Sequence, residues 1–123
     1  MKRDYRLYLE DILEAIRRIE RYVEGMDQGQ FMGDDRTVDA VIKNLAVIGE
    51  AAKHVPPAVR RKYPHFFFQA EDGIRDKLVH EYFGVMLDVL WKTVQERLPQ
   101  VRTAIQAVLR EMDKERAEQG ETW

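Results

Sequence analysis

Residues 4–25 read DYRLYLEDILEAIRRIERYVEG, and this stretch gives the clearest indication of the fold class. Its apolar side chains recur at steps of three and four residues, which places them on one face of an α-helix. Charged side chains fill the opposite face, and no strand-like alternation competes. The apolar stripe consists of Tyr5, Leu9, Ile12, Leu13, Ile16, Ile19, Val23 and Met26. We therefore predict a long amphipathic helix from about Asp4 to Gly25.

A second helix is predicted after a glycine-containing break at residues 25–33. Asp34 or Asp35 can cap its N-terminus through a carboxylate oxygen. The pair Pro56-Pro57 ends it, because a proline disfavours helical geometry in the residue before it. The apolar seam consists of Val38, Val41, Leu45, Ile48, Ala52 and Val55, widened by Ile42. Such a narrow seam is typical of helices that pack as in a coiled coil.

Shorter helical patterns follow along the rest of the chain. We expect a helical turn at residues 58–63, irregular chain at 64–68, and a third helix that ends near Gly84. A fourth helix follows, and Pro99 suits the first turn of a fifth. Charged residues 114–123 are expected to fray. Four or five helices with short connections predict one all-α domain over residues 1–123, folded as an up-and-down bundle.

Composition narrows the class of protein. The absence of cysteine rules out disulfides and thiolate metal sites. Twenty basic residues nearly balance 22 acidic ones, so a broad basic surface for nucleic acid is not expected, and any RNA contact would be local. No signal peptide is visible, and no stretch approaches the roughly 20 apolar residues of a membrane span. We therefore expect a cytoplasmic protein without a membrane partner.

Three side chains in the pattern Arg75-x4-His80-x-Tyr82 could carry chemistry. The planar guanidinium of arginine matches phosphate, and histidine can give or take a proton near neutral pH. Tyrosine adds a hydroxyl and a ring that can stack on a base. These groups suffice to cleave RNA without a metal, with the substrate 2′-hydroxyl as nucleophile, histidine as general base or acid, and arginine stabilising the charge on phosphorus.

The spacing of Arg75 and His80 also bears on assembly. At about 100° per residue, positions five apart lie roughly 140° apart around a regular helix and about 7.5 Å along it. The two side chains therefore do not share one face of such a helix. Either Arg75 lies at a distorted helix entry, or a second copy of the chain completes the site, with each protomer supplying one arginine and one histidine.

Spacing alone does not establish a catalytic role, because an arginine and a histidine within six residues occur by chance in many helices, where they are ordinary packing or surface residues. The surrounding sequence is more specific. Residues 73–85, GIRDKLVHEYFGV, resemble the signature of HepT-like toxins in the HEPN superfamily. Residues 48–53 and the run from Leu87 to Leu98 are also similar to that family. The resemblance extends from Tyr5 to about Met112.

The resemblance implies a HEPN-like helical bundle that works as a homodimer, without a cofactor, and cleaves RNA without a metal. Arg75 and His80 match the family's catalytic pair, and Asp76 matches the polar position that would orient one of them. Tyr82 matches the tyrosine that a minimal nucleotidyltransferase antitoxin modifies with AMP. The implied function is therefore the toxin of a type II toxin–antitoxin system.

Two other interpretations stay open. Residues 66–72 depart from the family's usual approach to the motif, and residues 66–76 resemble translated sequencing-adaptor sequence. This run favours an impaired protein, such as a non-catalytic HEPN module that docks a nucleotidyltransferase. The third possibility is a purely structural helical dimer.

Other polar groups give weaker indications. His54 and His65 lack any recognised metal-ligand spacing, so no metal site is predicted. A basic cluster precedes Tyr63 and consists of Lys53, Arg60, Arg61 and Lys62. It could guide RNA, although a run of charges is more often a solvated face.

Overall fold

The computed structural model describes residues 4–62 and 87–118. Over these ranges the chain forms α-helices and one π-helical segment, with no strand. The elements are α1 (Tyr5–Val23), α2 (Gln28–Met32), α3 (Asp35–Ala52), α4 (Pro57–Lys62), α5 (Leu87–Lys92), the π segment (Thr93–Arg97) and α6 (Leu98–Glu118). The prediction of an all-α fold is confirmed.

Helix α1 forms close to where the apolar period predicts it. Its N-terminus is capped by the Asp4 carboxylate, which accepts a hydrogen bond from the backbone N–H of Arg6 at 3.0 Å. Beyond its C-terminus, Gly25 has φ +77°, a left-handed conformation that glycine adopts without steric cost. The buried side chains of α1 are Leu9, Ile12, Ala15, Ile16, Ile19 and Val23. They form one wall of the hydrophobic core.

Helix α3 resolves the choice of cap that the sequence left open. The Asp34 carboxylate accepts a hydrogen bond from the backbone N–H of Thr37 at 3.2 Å, whereas Asp35 is the first helical residue. All six positions of the predicted seam are buried: Val38, Val41, Leu45, Ile48, Ala52 and Val55. Val55 lies just beyond α3, and α3 packs closely on α1 through the other five to form the central pair of the described structure.

The segment predicted only as a break contains the short helix α2. Asp27 and Gln30 form a capping box, in which each side chain accepts a hydrogen bond from the other residue's backbone N–H. The helix buries Phe31 completely, with its ring centroid 5.3 Å from that of Trp91 in α5. The break is therefore an ordered turn that closes one side of the core.

The predicted fourth and fifth helices are one continuous helix from Leu87 to Glu118. The π segment joins them, and the backbone N–H of Leu98 donates to the carbonyl of Thr93, five residues back. Pro99 follows directly, in the first turn of α6 as predicted. Because proline has no N–H to donate, the change from π to α spacing takes place where one hydrogen bond is missing in any case.

Helices α1 and α6 are antiparallel, and ion pairs join them near both ends. Arg6 donates to Asp113 at 2.7 Å, and Arg102 pairs with Glu20 at the other end. A further pair, 3.6 Å long, links Arg116 to Asp4. Residues 114–118 continue α6 along α1, and the fraying expected of residues 114–123 stays a prediction.

Helix α1 is also antiparallel to α3, because Tyr8 near its start meets His54 just past the end of α3. Two neighbours of α1 thus run in the opposite direction to it, as the predicted up-and-down bundle requires. The described helices include none that is long and apolar enough to span a membrane.

Candidate functional site

The motif residues Arg75, Asp76, His80 and Tyr82 lie outside the described residues. Their expected roles stay predictions. The structure does show the helices that the chain forms on either side of the motif. Helix α4 is the last described element before it, and α5 is the first described element after it.

The structure places part of the predicted basic cluster on the surface between α3 and α4. Lys53 is the C-cap of α3 and is exposed, and its ammonium lies 3.8 Å from a carboxylate oxygen of Glu50. Arg61 in α4 is also exposed, whereas Arg60 is half-buried. Lys62 is the last residue of α4, and its side chain lies outside the described structure. Two cations of the cluster therefore reach solvent at this end of the bundle.

A stacked aromatic pair adjoins this cluster, and no pattern in the sequence predicted it. The rings of Tyr8 and His54 have centroids 4.3 Å apart and an interplanar angle of 11°. Tyr8 is half-buried and packs against the core, and His54 is exposed. One signal was available: Tyr8 precedes Ile12 by four residues and therefore borders the buried stripe of α1. Nothing local in the sequence indicated that His54 would meet it.

A groove of about 360 Å³ lies between α1 and α3, away from the Tyr8–His54 pair. It is lined by Asp11, Glu14, Ala15, Arg18, Tyr22, Ala40, Lys43, Asn44 and Val47. Hydrogen bonds from Arg17 and Arg18 lower the pKa of the Glu14 carboxyl, and the same contact raises the pKa of Arg18. Two carboxylates and two cations balance one another along the groove, so its charge does not favour an anion such as phosphate.

Metal ions in proteins are held by groups of histidine, cysteine or carboxylate side chains. Neither 4–62 nor 87–118 contributes a group of three or more histidine, aspartate or glutamate side chains that could hold an ion. The surface at the ends of α3 and α4 combines exposed cations with a stacked, exposed histidine, two features that proteins use together to bind single-stranded nucleic acid.

Comparison with known proteins identifies the family. The family model for HepT-like ribonucleases matches residues 12–108. A protein of Thermococcus cleftensis that carries the name ribonuclease HepT is 44% identical over 102 residues, which are 83% of this chain and 93% of that protein. A protein of Methanocaldococcus jannaschii, named as a candidate RNase, is 36% identical over 113 residues, covering 92% of this chain and 97% of the relative.

A candidate RNase of Caldanaerobacter subterraneus is 34% identical over 104 residues, which are 85% of this chain and 93% of the relative. No solved structure matches the chain significantly. The family match covers most of the chain and includes the positions of the motif, and the described helices agree with the expected all-α architecture. The chain belongs to the HepT-like family of HEPN-type ribonucleases.

Proposed function

We propose that this protein is the toxin of a toxin–antitoxin pair and that it cleaves RNA internally without a metal ion. The observation that carries the proposal is the family match over residues 12–108, which includes Arg75, His80 and Tyr82 at the spacing of the Arg-x4-His-x-Tyr motif. The function follows from what these side chains can do to a phosphodiester.

In the proposed reaction, the 2′-oxygen of a ribose attacks the adjacent phosphorus and the bond from phosphorus to the 5′-oxygen breaks. The products are a 2′,3′-cyclic phosphate and a free 5′-hydroxyl. His80 takes the proton from the 2′-hydroxyl or gives one to the leaving 5′-oxygen. Arg75 stabilises the charge that builds on the phosphoryl oxygens, and Asp76 orients one of the pair.

The site is proposed to lie at the seam of a homodimer. The support is the roughly 140° between positions five apart, which would put Arg75 and His80 on different faces if the motif helix is regular. Sedimentation of the active species should give the mass of two chains. A monomer that still cleaves RNA would contradict the dimer proposal without affecting the assignment of His80.

The test of catalysis compares the wild-type protein with His80→Ala on single-stranded RNA in a buffer containing EDTA. We expect cleavage by the wild type and a rate at least about a hundredfold lower in the variant, the usual range for losing a general acid or base. His65→Ala is the matched control, since this histidine lies outside the motif spacing. Equal cleavage by wild type and His80→Ala would reject His80 as the catalyst.

Regulation is proposed to act through Tyr82, two residues beyond His80. In this step the tyrosine oxygen attacks the α-phosphorus of ATP, a phosphodiester forms, and pyrophosphate leaves. A bulky anionic nucleotide beside the motif would block RNA and repel its phosphates. A minimal nucleotidyltransferase is the proposed enzyme for the transfer.

Mass spectrometry tests this regulation after the protein is incubated with ATP and a nucleotidyltransferase encoded beside it. We expect one added AMP on Tyr82, loss of RNA cleavage, and no modification of Tyr82→Phe. AMP on another residue would overturn the assignment. A wild-type protein that binds the transferase tightly but never cleaves RNA would instead support the second candidate function, a non-catalytic docking module.

A further inference from the structure

His54 is an exposed residue whose imidazole is stacked on another ring. Its ring stacks on Tyr8 at 4.3 Å and 11°, yet the residue is exposed. Because Tyr8 covers one face of the imidazole, the opposite face is the part that a flat ligand can contact. A nucleobase is such a ligand, and stacking on an aromatic side chain is the common way that proteins hold unpaired bases.

The backbone holds this ring in place on both sides. The N–H of His54 donates to the carbonyl of Ala51 at 3.0 Å, and the N–H of Val55 donates to that of Ala52 at 3.2 Å. Ala52 and Val55 are both buried in the core, so the chain around His54 cannot move independently of α3. A ring that is already ordered loses little conformational entropy when a base stacks on it.

Exposed cations flank His54 along the chain, at the end of α3 and within α4. Lys53 directly precedes His54, and its contact with Glu50 is 3.8 Å long between two exposed side chains, which makes it weak. Arg61 is exposed on α4, which begins at Pro57, three residues after His54. Cations beside a stacking ring match the alternation of phosphates and bases along a single strand.

Acidic groups flank Tyr8, the residue on which His54 stacks. Asp4, the N-cap of α1, and Asp11, within α1, are about one helical turn before and after Tyr8, and Asp4 pairs with Arg116. A strand that places its base on His54 would therefore pass its phosphates over the α3–α4 side rather than over α1.

We propose that His54, backed by Tyr8, is a stacking platform for an unpaired base of the RNA substrate, with flanking phosphates bound by Lys53 and Arg61. The proposal deepens the proposed ribonuclease function and rests on it for the identity of the ligand. It adds a substrate-binding residue in a part of the chain separate from the Arg75–Tyr82 motif.

Binding is measured by fluorescence anisotropy with a labelled single-stranded RNA, in a His80→Ala background that does not degrade the probe. We expect His54→Ala to raise Kd by roughly five- to a hundredfold, the range for losing one base–aromatic stack. His54→Phe should keep most of the affinity, because it restores the ring without the nitrogens. An unchanged Kd in His54→Ala would overturn the proposal, as would an equal loss in His54→Phe.

A second arm separates stacking from charge and from a structural role. Lys53→Gln and Arg61→Gln should each reduce the slope of log K against log salt by about 0.7, whereas His54→Ala should leave the slope unchanged. In a series of RNAs that each lack one base, one position should abolish the difference between His54 and His54→Ala. If no such position exists and His54→Ala merely lowers the unfolding temperature, the ring only anchors α3 to α1 and the proposal fails.

Kinetics distinguish failure of this inference from failure of the proposed function. In the active protein, His54→Ala should raise KM with kcat nearly unchanged. Cleavage with an unaltered KM would reject the platform and leave the ribonuclease proposal intact. RNA binding that depends on His54, in a wild-type protein that does not cleave, would retain the platform and reject the catalytic proposal.

Discussion

A single side chain, that of Phe31, helps to fix the structure of the segment that connects α1 to α3. It lies in a glycine-containing stretch whose composition predicts a break, and yet it is fully buried and contacts Trp91 of α5. Burying a phenylalanine removes a large apolar area from water, which offsets the entropy lost when the connection becomes helical. The stretch between α1 and α3 is therefore part of the core.

The corresponding prediction is that Phe31→Ala lowers the free energy of unfolding by about 3–5 kcal/mol, through the lost burial and the cavity left behind. Leu7→Ala is the control, because Leu7 is 41% exposed and should change stability by no more than about 0.5 kcal/mol. Denaturant unfolding followed by circular dichroism measures both. A cost below about 1 kcal/mol for Phe31→Ala would show that α2 is not held by this contact.

Caps decide where an element begins, as α3 shows. Two adjacent aspartates precede its apolar seam, and either could accept a hydrogen bond from an exposed N–H group of the first turn. In the structure Asp34 makes this contact with Thr37. Asp35 is the first helical residue, and its negative charge interacts favourably with the positive N-terminal end of the helix dipole. The two residues therefore contribute to stability by different mechanisms.

We expect Asp34→Ala to lower the free energy of unfolding by about 1 kcal/mol, the usual value for removing an N-cap. Asp35→Ala should cost only a few tenths of a kcal/mol, and this smaller effect should diminish as salt is added. Thermal unfolding of the two variants at low and high salt makes the comparison. A larger cost for Asp35→Ala would mean that the cap is one residue later than the structure shows.

At the scale of the whole molecule, α6 is tied to α1 by ion pairs near both ends. Arg6 is the central member, since it donates to Asp113 at 2.7 Å and to Glu10 at 3.2 Å. The Asp113 hydrogen bond, followed by that of Glu10, raises the pKa of Arg6, which is charged at any ordinary pH. The Asp113 pair and the Arg116–Asp4 pair link the charged C-terminal part of α6, which is helical to Glu118, to the start of α1.

We expect replacement of Arg6 to lower the stability of the protein modestly and in a way that depends on salt. Arg6→Gln should lower the free energy of unfolding by up to about 1 kcal/mol at low salt, because the acidic side chains are half-exposed, and by less at high salt. Arg110→Gln, an exposed change on α6 outside these pairs, is the control. Hydrogen exchange should show faster opening of residues 113–118 in Arg6→Gln alone, and equal exchange in both variants would contradict the role of Arg6.

Much of this architecture is predictable from the amino-acid sequence. The stripes of α1 and α3 lie within single helices, where apolar residues three or four apart share a face whatever the rest of the chain does. The motif residues Arg75, His80 and Tyr82 can likewise be identified from the sequence. The match to the HepT-like family model confirms the predicted family. The placement of those three side chains is still a prediction.

Residues close together in the chain suffice to specify the helical class, the long helices and the chemistry available to the motif. Packing between helices was needed to establish that α2 forms, that α5 and α6 are continuous, and that Tyr8 stacks on His54. These features depend on contacts between residues that are distant in the sequence. Such contacts are set by the relative positions of whole helices, which a local pattern does not specify. The sequence shows that position 54 is a histidine, but its stack on Tyr8 forms only when α1 packs against α3.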